Sequence, residues 1–252
     1  PVDSACAGDI VAETLPGVFV LTGIVRKLPA AEAVKMGADI LLLDDGFQHM
    51  AIRRDLDIVL FNTDKLAGNS RVFPGGDLRE PINALKRCHA FVLTGTDEQN
   101  QERAETFKAV LNKKFPEKPV FFSRYRPTGL FLQKTDGEKI AVQPEELAAQ
   151  QCFAFCGIAR PEGFSQTLKK LNIKPIALRA LPDHFAYAAK TVHQLIAEAQ
   201  QAGATCFLCT EKDLVKLRNI ELQLPLYGVI MEAQPDIALN HLILQHKSIR
   251  PT

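Results

Sequence analysis

The sequence predicts an α/β protein of two lobes, each an open, mostly parallel sheet flanked by helices. Three observations carry that prediction. Short apolar runs alternate along the chain with stretches of helical periodicity, the pattern of repeated strand–helix units. The runs, Ile40-Leu41-Leu42-Leu43 and Cys206-Phe207-Leu208-Cys209 among them, are apolar at successive positions, so each reads as a strand covered on both faces. A content of 46% hydrophobic and 23% charged residues over 252 positions gives enough core for one large domain or two modest ones.

Taken in order, residues 1–9 read as a polar loop and 17–22 as a short strand. Residues 30–36 are rich in helix formers and run into Gly37, a C-cap that feeds the chain into the 40–43 strand. Further strands are expected at 56–61 and 90–93, separated by a long Gly-, Pro- and Asn-bearing loop at 62–81. An amphipathic helix follows over 97–114, with Phe107, Val110 and Leu111 on one face. Strands at 119–123, 129–133 and 139–142 form a β linker. A second set of strand–turn–helix units begins at Cys152, with strands at 152–156, 173–178, 205–210 and 226–231. Its helices are expected up to Leu171, over 188–202 and over 235–246. The domain division is therefore 1–118, a linker at 119–143, and a smaller lobe at 144–252.

Charge and cysteine usage narrow the function classes. A net charge of +1 implies no chain-wide attraction to nucleic acid or an anionic surface. No apolar stretch approaches the roughly 18 residues of a membrane-spanning helix. Six cysteines include the pairs Cys152/Cys156 and Cys206/Cys209, which suggest a zinc-binding structural domain. Both pairs fall in strand-like segments without a knuckle turn, and in a strand Cys206 and Cys209 point to opposite faces. Buried free thiols in a reducing compartment account for them better.

The chemistry is expected where the 40–43 run stops at Asp44-Asp45. Parallel sheets bind ligands at the carboxyl ends of their strands, and two carboxylates there suit Mg²⁺ held between protein and nucleotide phosphates, a Walker-B arrangement. An acidic turn after a buried strand is the plainer alternative. Gly75-Gly76-Asp77-Leu78-Arg79-Glu80-Pro81 joins backbone freedom to a guanidinium fork suited to phosphate, or is simply a loop entering a helix. Lys212 lies just past a strand between Glu211 and Asp213, where a surface ion pair is the ordinary expectation.

Asp44-Asp45-Gly46-Phe47-Gln48-His49 resembles the hallmark of the tetraacyldisaccharide 4′-kinases, which phosphorylate a lipid A precursor. The blocks Arg54-Asp55-Leu56-Asp57, Gly68-Asn69, Pro74 to Pro81, Leu181-Pro182-Asp183-His184 and Thr210-Glu211-Lys212-Asp213 are similar to later family segments, in the family's order. The resemblance implies a P-loop-kinase-like fold, with ATP and Mg²⁺ as cofactors and a lipid A disaccharide as acceptor. It implies peripheral placement at the cytoplasmic face of the bacterial inner membrane and no nucleic-acid partner. Carried over residue by residue, Asp44 and Asp45 become metal ligands, with Asp45 also catalytic. His49, Arg79, Glu80 and Lys212 become nucleotide or substrate contacts, and Asp9 with His184 becomes the base pair that takes the hydroxyl proton, in the same cleft as the Asp pair. Asp9 matches through Gly8-Asp9, although Ile10-Val11 replaces the family's Glu-Pro.

No Gly-x-x-x-x-Gly-Lys-[Ser/Thr] occurs in the chain, which begins at Pro1. The first strand and P-loop are thus expected to be missing and the chain to be a fragment, weak in ATP binding by itself. The alternative is a P-loop-less, non-catalytic remnant that binds lipid or a partner.

Overall fold

The computed structural model describes residues 11–12, 15, 17–134, 138–158, 161–183, 185–217 and 220–248. In chain order the elements are α1 (Lys27–Lys35), β1 (Ile58–Asn62), β2 (Ala90–Thr94), α2 (Gln101–Lys114), β3 (Val120–Gln133), β4 (Lys139–Val142) and β5 (Cys152–Cys156). There follow α3 (Pro161–Lys170), β6 (Ala177–Ala180), α4 (Ala189–Gln201), β7 (Cys206–Thr210), α5 (Glu211–Leu217), β8 (Leu226–Pro235) and α6 (Ile237–Ser248). Contacts group the chain into two compact units, each discontinuous in sequence: Pro1–Leu42 with Pro127–Met231, and Leu43–Arg126 with Glu232–Thr252. The contiguous lobes 1–118 and 144–252 stay a proposal about which stretches fold together.

In the first unit β5 is the centre. It pairs in parallel with β6 on one side and β7 on the other, and β7 pairs in parallel with β8. All five residues of β5 are buried because both faces are covered. On one face Phe153, Phe155, Phe207 and Cys209 pack with Val192, Leu195 and Ile196 of α4 and Leu214 and Leu217 of α5. On the other, Cys152, Ala154, Cys156, Cys206 and Leu208 meet Phe164 and Leu168 of α3. The continuous apolar runs are what a doubly covered parallel strand requires. Cys206 and Cys209 sit in these two different clusters, and the register pair Cys152 and Cys206 brings its Sγ atoms to 3.2 Å. Burial pushes the Cys156 thiol up to about 11 and raises that of Cys209 as well. The five described cysteines are free, buried thiols.

The second unit repeats the construction on a smaller scale. β1, β2 and the first part of β3 are parallel, from Ile58↔Ala90 to Asn62↔Thr94 and from Phe91↔Val120 to Thr94↔Ser123. One face packs Phe61, Phe91 and Leu93 on Ala104 and Leu111 of α2. The other packs Ala90, Val92 and Phe121 on Leu239 of α6. Asp236, just before α6, accepts from the Phe122 N–H at 2.8 Å and donates its own N–H to the Phe122 carbonyl at 2.9 Å, which ties the helix start to β3.

Several elements differ from the sequence-based expectation. The 40–43 segment is not a strand: it pairs with nothing among the described residues, and Leu42 is 90% exposed. An apolar run becomes a strand only when a neighbour supplies its ladder and its faces are covered; among the described residues no strand pairs with 40–43. The 17–22 segment likewise forms no strand with the described residues. The stretch expected as two strands, at 119–123 and 129–133, is the single long strand β3 (Val120–Gln133). The stretch from Arg124 to Thr128 lies between the part paired with β2 and the part paired with β4, so Pro127 removes no N–H from either ladder. The strand expected at 173–178 begins pairing only at Ala177, opposite Phe153. Helix α5 is an addition, because its charged first turn masks the buried Leu214, Val215 and Leu217. Met36 is the C-cap of α1, and Gly37, expected in that role, takes the left-handed position just after it, at φ +91.

Gly228 in β8 lets the strand and α5 come close together: a Cβ there would lie 2.6 Å from Cδ2 and 3.2 Å from Cβ of Leu214. Gly228→Ala is expected to destabilise the protein by about 1–3 kcal/mol through overpacking, read as a lowered Tm. An unchanged Tm would show that α5 is free to shift.

Candidate functional site

The Asp-Asp turn is built by local constraints. Gly46 lies against Leu43, whose Cβ would stand 2.6 Å from any Cβ added there, so only glycine lets the chain fold back. Asp45 adopts φ +51, a left-handed backbone that an aspartate tolerates better than most residues. The turn closes with His49 N–H donating to the Gly46 carbonyl at 3.0 Å. Arg54 fixes its far end, donating to the carbonyls of His49 and Ile52 and, at 2.6 Å, to Asp57. Asp44 and Asp45 are left exposed, while Phe47, Gln48 and His49 are half-buried.

The 62–81 loop is equally specific. Asn69 spans it, its amide donating to the Gly75 carbonyl at 2.7 Å and its carbonyl oxygen accepting the Arg71 N–H at 3.1 Å. A Cβ on Gly76 would overlap Asn69 Oδ1 at 2.0 Å and the Arg71 carbonyl oxygen at 2.4 Å. A bridge between Val72 and Leu78, with a cis Phe73-Pro74 bond within it, delivers the chain to Arg79 and Glu80.

These two segments meet. Arg79 donates through Nη1 to Asp45 Oδ2, in a pair whose side chains are 68% and 55% exposed. Glu80 turns the other way and takes a 2.8 Å hydrogen bond from Arg87. Arg87 also stacks its guanidinium 4.5 Å above the Phe47 ring and points Nη2 at the Phe47 carbonyl. Asp45, Arg79, Glu80 and the hexapeptide are thereby assembled in one place. Arg87 escapes a reading of the sequence, since nothing in its local surroundings signals a partner forty residues upstream.

Lys212 belongs to the other unit. It opens α5 and stands 3.6 Å from Asp183 of the Pro182-Asp183 loop. Beside it Asp213, fully buried, accepts from Gly157 N–H at 3.0 Å, from the Thr210 hydroxyl at 2.6 Å and from the Tyr187 hydroxyl at 2.8 Å. In the sequence Asp213 is only the last member of a motif; its burial and three donors are tertiary facts. Asp9 and His184 lie outside the described residues.

Among the described residues no group of three or more His, Cys, Asp or Glu side chains could cage a metal ion. Adjacent exposed carboxylates suit a cation that takes one or two protein oxygens and finds its other ligands in phosphates and water, which is how Mg²⁺ binds with nucleotides. The donor set therefore fits Mg²⁺ in company with a phosphate ligand.

A family model described as tetraacyldisaccharide-1-P 4′-kinase matches residues 7–247. The chain belongs to that family. It is 39% identical over 243 residues to the tetraacyldisaccharide 4′-kinase of Desulfotalea psychrophila, covering 95% of this chain and 68% of that protein. With the enzyme of that name from Syntrophus aciditrophicus it shares 36% identity over 249 residues, 94% of this chain and 65% of that protein. The Anaeromyxobacter dehalogenans protein is 39% identical over 219 residues, 85% of this chain and 57% of that protein. The chain thus spans between 57% and 68% of the length of these curated relatives. Among solved structures it is similar to an "apo" form of LpxK from Aquifex aeolicus in complex with ATP, with a TM-score of 0.69 and 28% identity over 95% of this chain and 69% of that one. The α/β arrangement is that of this P-loop-kinase-like fold.

Arg87 gives the assembly its test. Arg87→Ala removes the Glu80 ion pair, the Phe47 stack and the contact to the Phe47 carbonyl, and is expected to cost about 1–3 kcal/mol in chemical denaturation. Arg87→Lys should recover less than about half of that, because an ammonium cannot stack and fork at once. A lysine variant as stable as the parent would contradict the geometry.

Proposed function

We propose that the protein transfers the γ-phosphoryl group of ATP to the 4′-hydroxyl of a tetraacyldisaccharide 1-phosphate, a lipid A precursor. Family membership and the relatives' names support this activity over a non-catalytic remnant. The structural observation that carries it is the pairing of the exposed Asp44-Asp45 turn with Arg79.

Asp45 and Arg79 neutralise each other in the structure, and each is the complement of one half of a metal–nucleotide: carboxylate for the cation, guanidinium for the phosphate. Binding the nucleotide exchanges one exposed ion pair, worth at most about 1 kcal/mol, for two charge-assisted contacts, so little opposes the change. Asp44 adds the second carboxylate. Mg²⁺, when bound, supplies positive charge to the phosphate oxygens as charge moves toward the leaving group. Glu80, held by Arg87, keeps the loop in register so that Arg79 reaches the phosphate. His49 lines the same turn.

Asp9, oriented by His184, is the group we assign to take the proton from the 4′-hydroxyl as it attacks. The acceptor's acyl chains imply work at a lipid surface, and we place the protein as a peripheral one at the cytoplasmic face of the inner membrane. Among the described residues no helix is long and apolar enough to cross a membrane.

Asp44→Ala and Asp45→Ala in the full-length protein are each expected to lower kcat at least roughly a hundredfold, ~3 kcal/mol of transition-state stabilisation. Both side chains are exposed, so far-UV circular dichroism should change little; Tm should stay near the parent value for Asp44→Ala and fall for Asp45→Ala, because alanine takes the left-handed backbone of residue 45 less readily than aspartate. Near-normal turnover by both variants at limiting Mg²⁺ would remove the metal role from this turn.

A further inference from the structure

Asp213 is a carboxylate in the wrong place for a purely structural residue. It is 0% exposed, yet its two oxygens receive three donors from three separate segments: Gly157 after β5, Thr210 at the end of β7, and Tyr187 before α4. Burying a charge is expensive even when it is fully bonded, and an apolar group of similar volume often serves stability as well or better. A buried carboxylate kept at the carboxyl ends of parallel strands, where such sheets bind ligands, therefore points to the geometry it enforces.

What it holds are the described residues of 182–187: Pro182, Asp183 and Phe185 to Tyr187. A Cβ on Gly157 would meet Asp213 Oδ1 at 3.0 Å, Phe185 Cβ at 3.2 Å and the Pro182 carbonyl oxygen at 3.4 Å, so the turn after β5, the 182–187 segment and Asp213 are in close contact. Two neighbours on α5 act in the same direction. Lys216 donates to the Phe185 carbonyl at 3.3 Å, and Lys212 stands 3.6 Å from Asp183. Tyr187 is held by rings as well as by its hydroxyl, edge-on to Phe155 and Phe185. Its phenol is pushed far above the ordinary tyrosine range by burial and by the adjacent Asp213 charge, so it remains a donor at any working pH.

We infer that Asp213 is a positioning residue for phosphoryl transfer: its buried carboxylate clamps the 182–187 segment and the first turn of α5, and so sets where Asp183 and Lys212 present their charges. This rests on the kinase assignment above. Asp213 touches neither nucleotide nor acceptor; it acts through the segments it joins.

Tyr187→Phe and Asp213→Asn test it in the full-length protein, by hydrogen exchange and by initial-rate kinetics with ATP and a tetraacyldisaccharide 1-phosphate. Tyr187→Phe removes one donor and leaves the ring packing; Asp213→Asn keeps the shape and removes the charge. Exchange in peptides covering 182–187 should quicken about tenfold or more, while peptides of β5 and β7 change less than about twofold. Turnover per folded molecule should fall about tenfold or more with KM for ATP changed less than about twofold, a split that loss of folded protein would not produce. Unchanged exchange overturns the clamp. Faster exchange with unchanged kcat overturns the positioning role. A parent protein without ATP-dependent transfer overturns the kinase assignment instead, and the exchange comparison still decides the clamp. Where Asp213→Asn fails to fold, Tyr187→Phe alone decides both the clamp and the positioning role.

Discussion

A parallel strand must be hydrogen-bonded on its sides and covered on both faces, and most of the structure follows from that constraint. β5 satisfies it fully, with β6 and β7 as neighbours, α4 and α5 over one face and α3 over the other. Once the strands are covered in this way, the polar backbone that follows them can emerge only at their carboxyl ends. Those ends are where Gly157, the 182–187 segment and the Thr210-Glu211-Lys212-Asp213 block lie. The second unit obeys the same rule around β2, all of whose residues are buried. The 40–43 run shows its converse: without a ladder partner among the described residues it stays out of any strand, and Ile40, Leu41 and Leu42 are exposed.

Charge placement separates two kinds of interaction. The Arg79–Asp45 pair is solvent-exposed and contributes little to stability, which makes it easy to exchange for a ligand. The Arg87–Glu80–Phe47 and Asp213–Tyr187–Thr210 networks are largely withdrawn from water, and there a lost partner leaves another polar group unsatisfied. The exposed pair is placed by the first of these networks. Arg87 holds the loop and the turn that carry Arg79 and Asp45, as Asp213 holds the segments that carry Lys212 and Asp183.

Periodicity makes the strands of the first unit legible, because their runs are apolar at every position and both faces are in fact covered. It fails at 40–43 for the same reason: the pattern reports that a segment would be buried, and pairing depends on residues far away in sequence. Arg124 to Thr128 looks like a break because proline and arginine are poor core residues, but the strand runs on through it with Arg124, Tyr125, Arg126 and Thr128 exposed, outside the registers with β2 and β4. The hexapeptide and the Asn69–Glu80 loop are legible as blocks, and Gly46 and Gly76 within them are explained by contacts of 2.0–2.6 Å that any side chain would create. Arg87 and the burial of Asp213 are hidden, since both depend on partners twenty-six to fifty-six residues away.

If the acidic turn and arginine loop of this chain serve phosphoryl transfer to a lipid-linked sugar, the product of the reaction shows it most directly. Incubation of the full-length protein with γ-labelled ATP, Mg²⁺ and a tetraacyldisaccharide 1-phosphate in detergent micelles should place the label on the disaccharide at its 4′-oxygen, as read by mass spectrometry of the isolated glycolipid. Release of labelled inorganic phosphate without labelled glycolipid, or no consumption of ATP by a folded protein, would contradict that role.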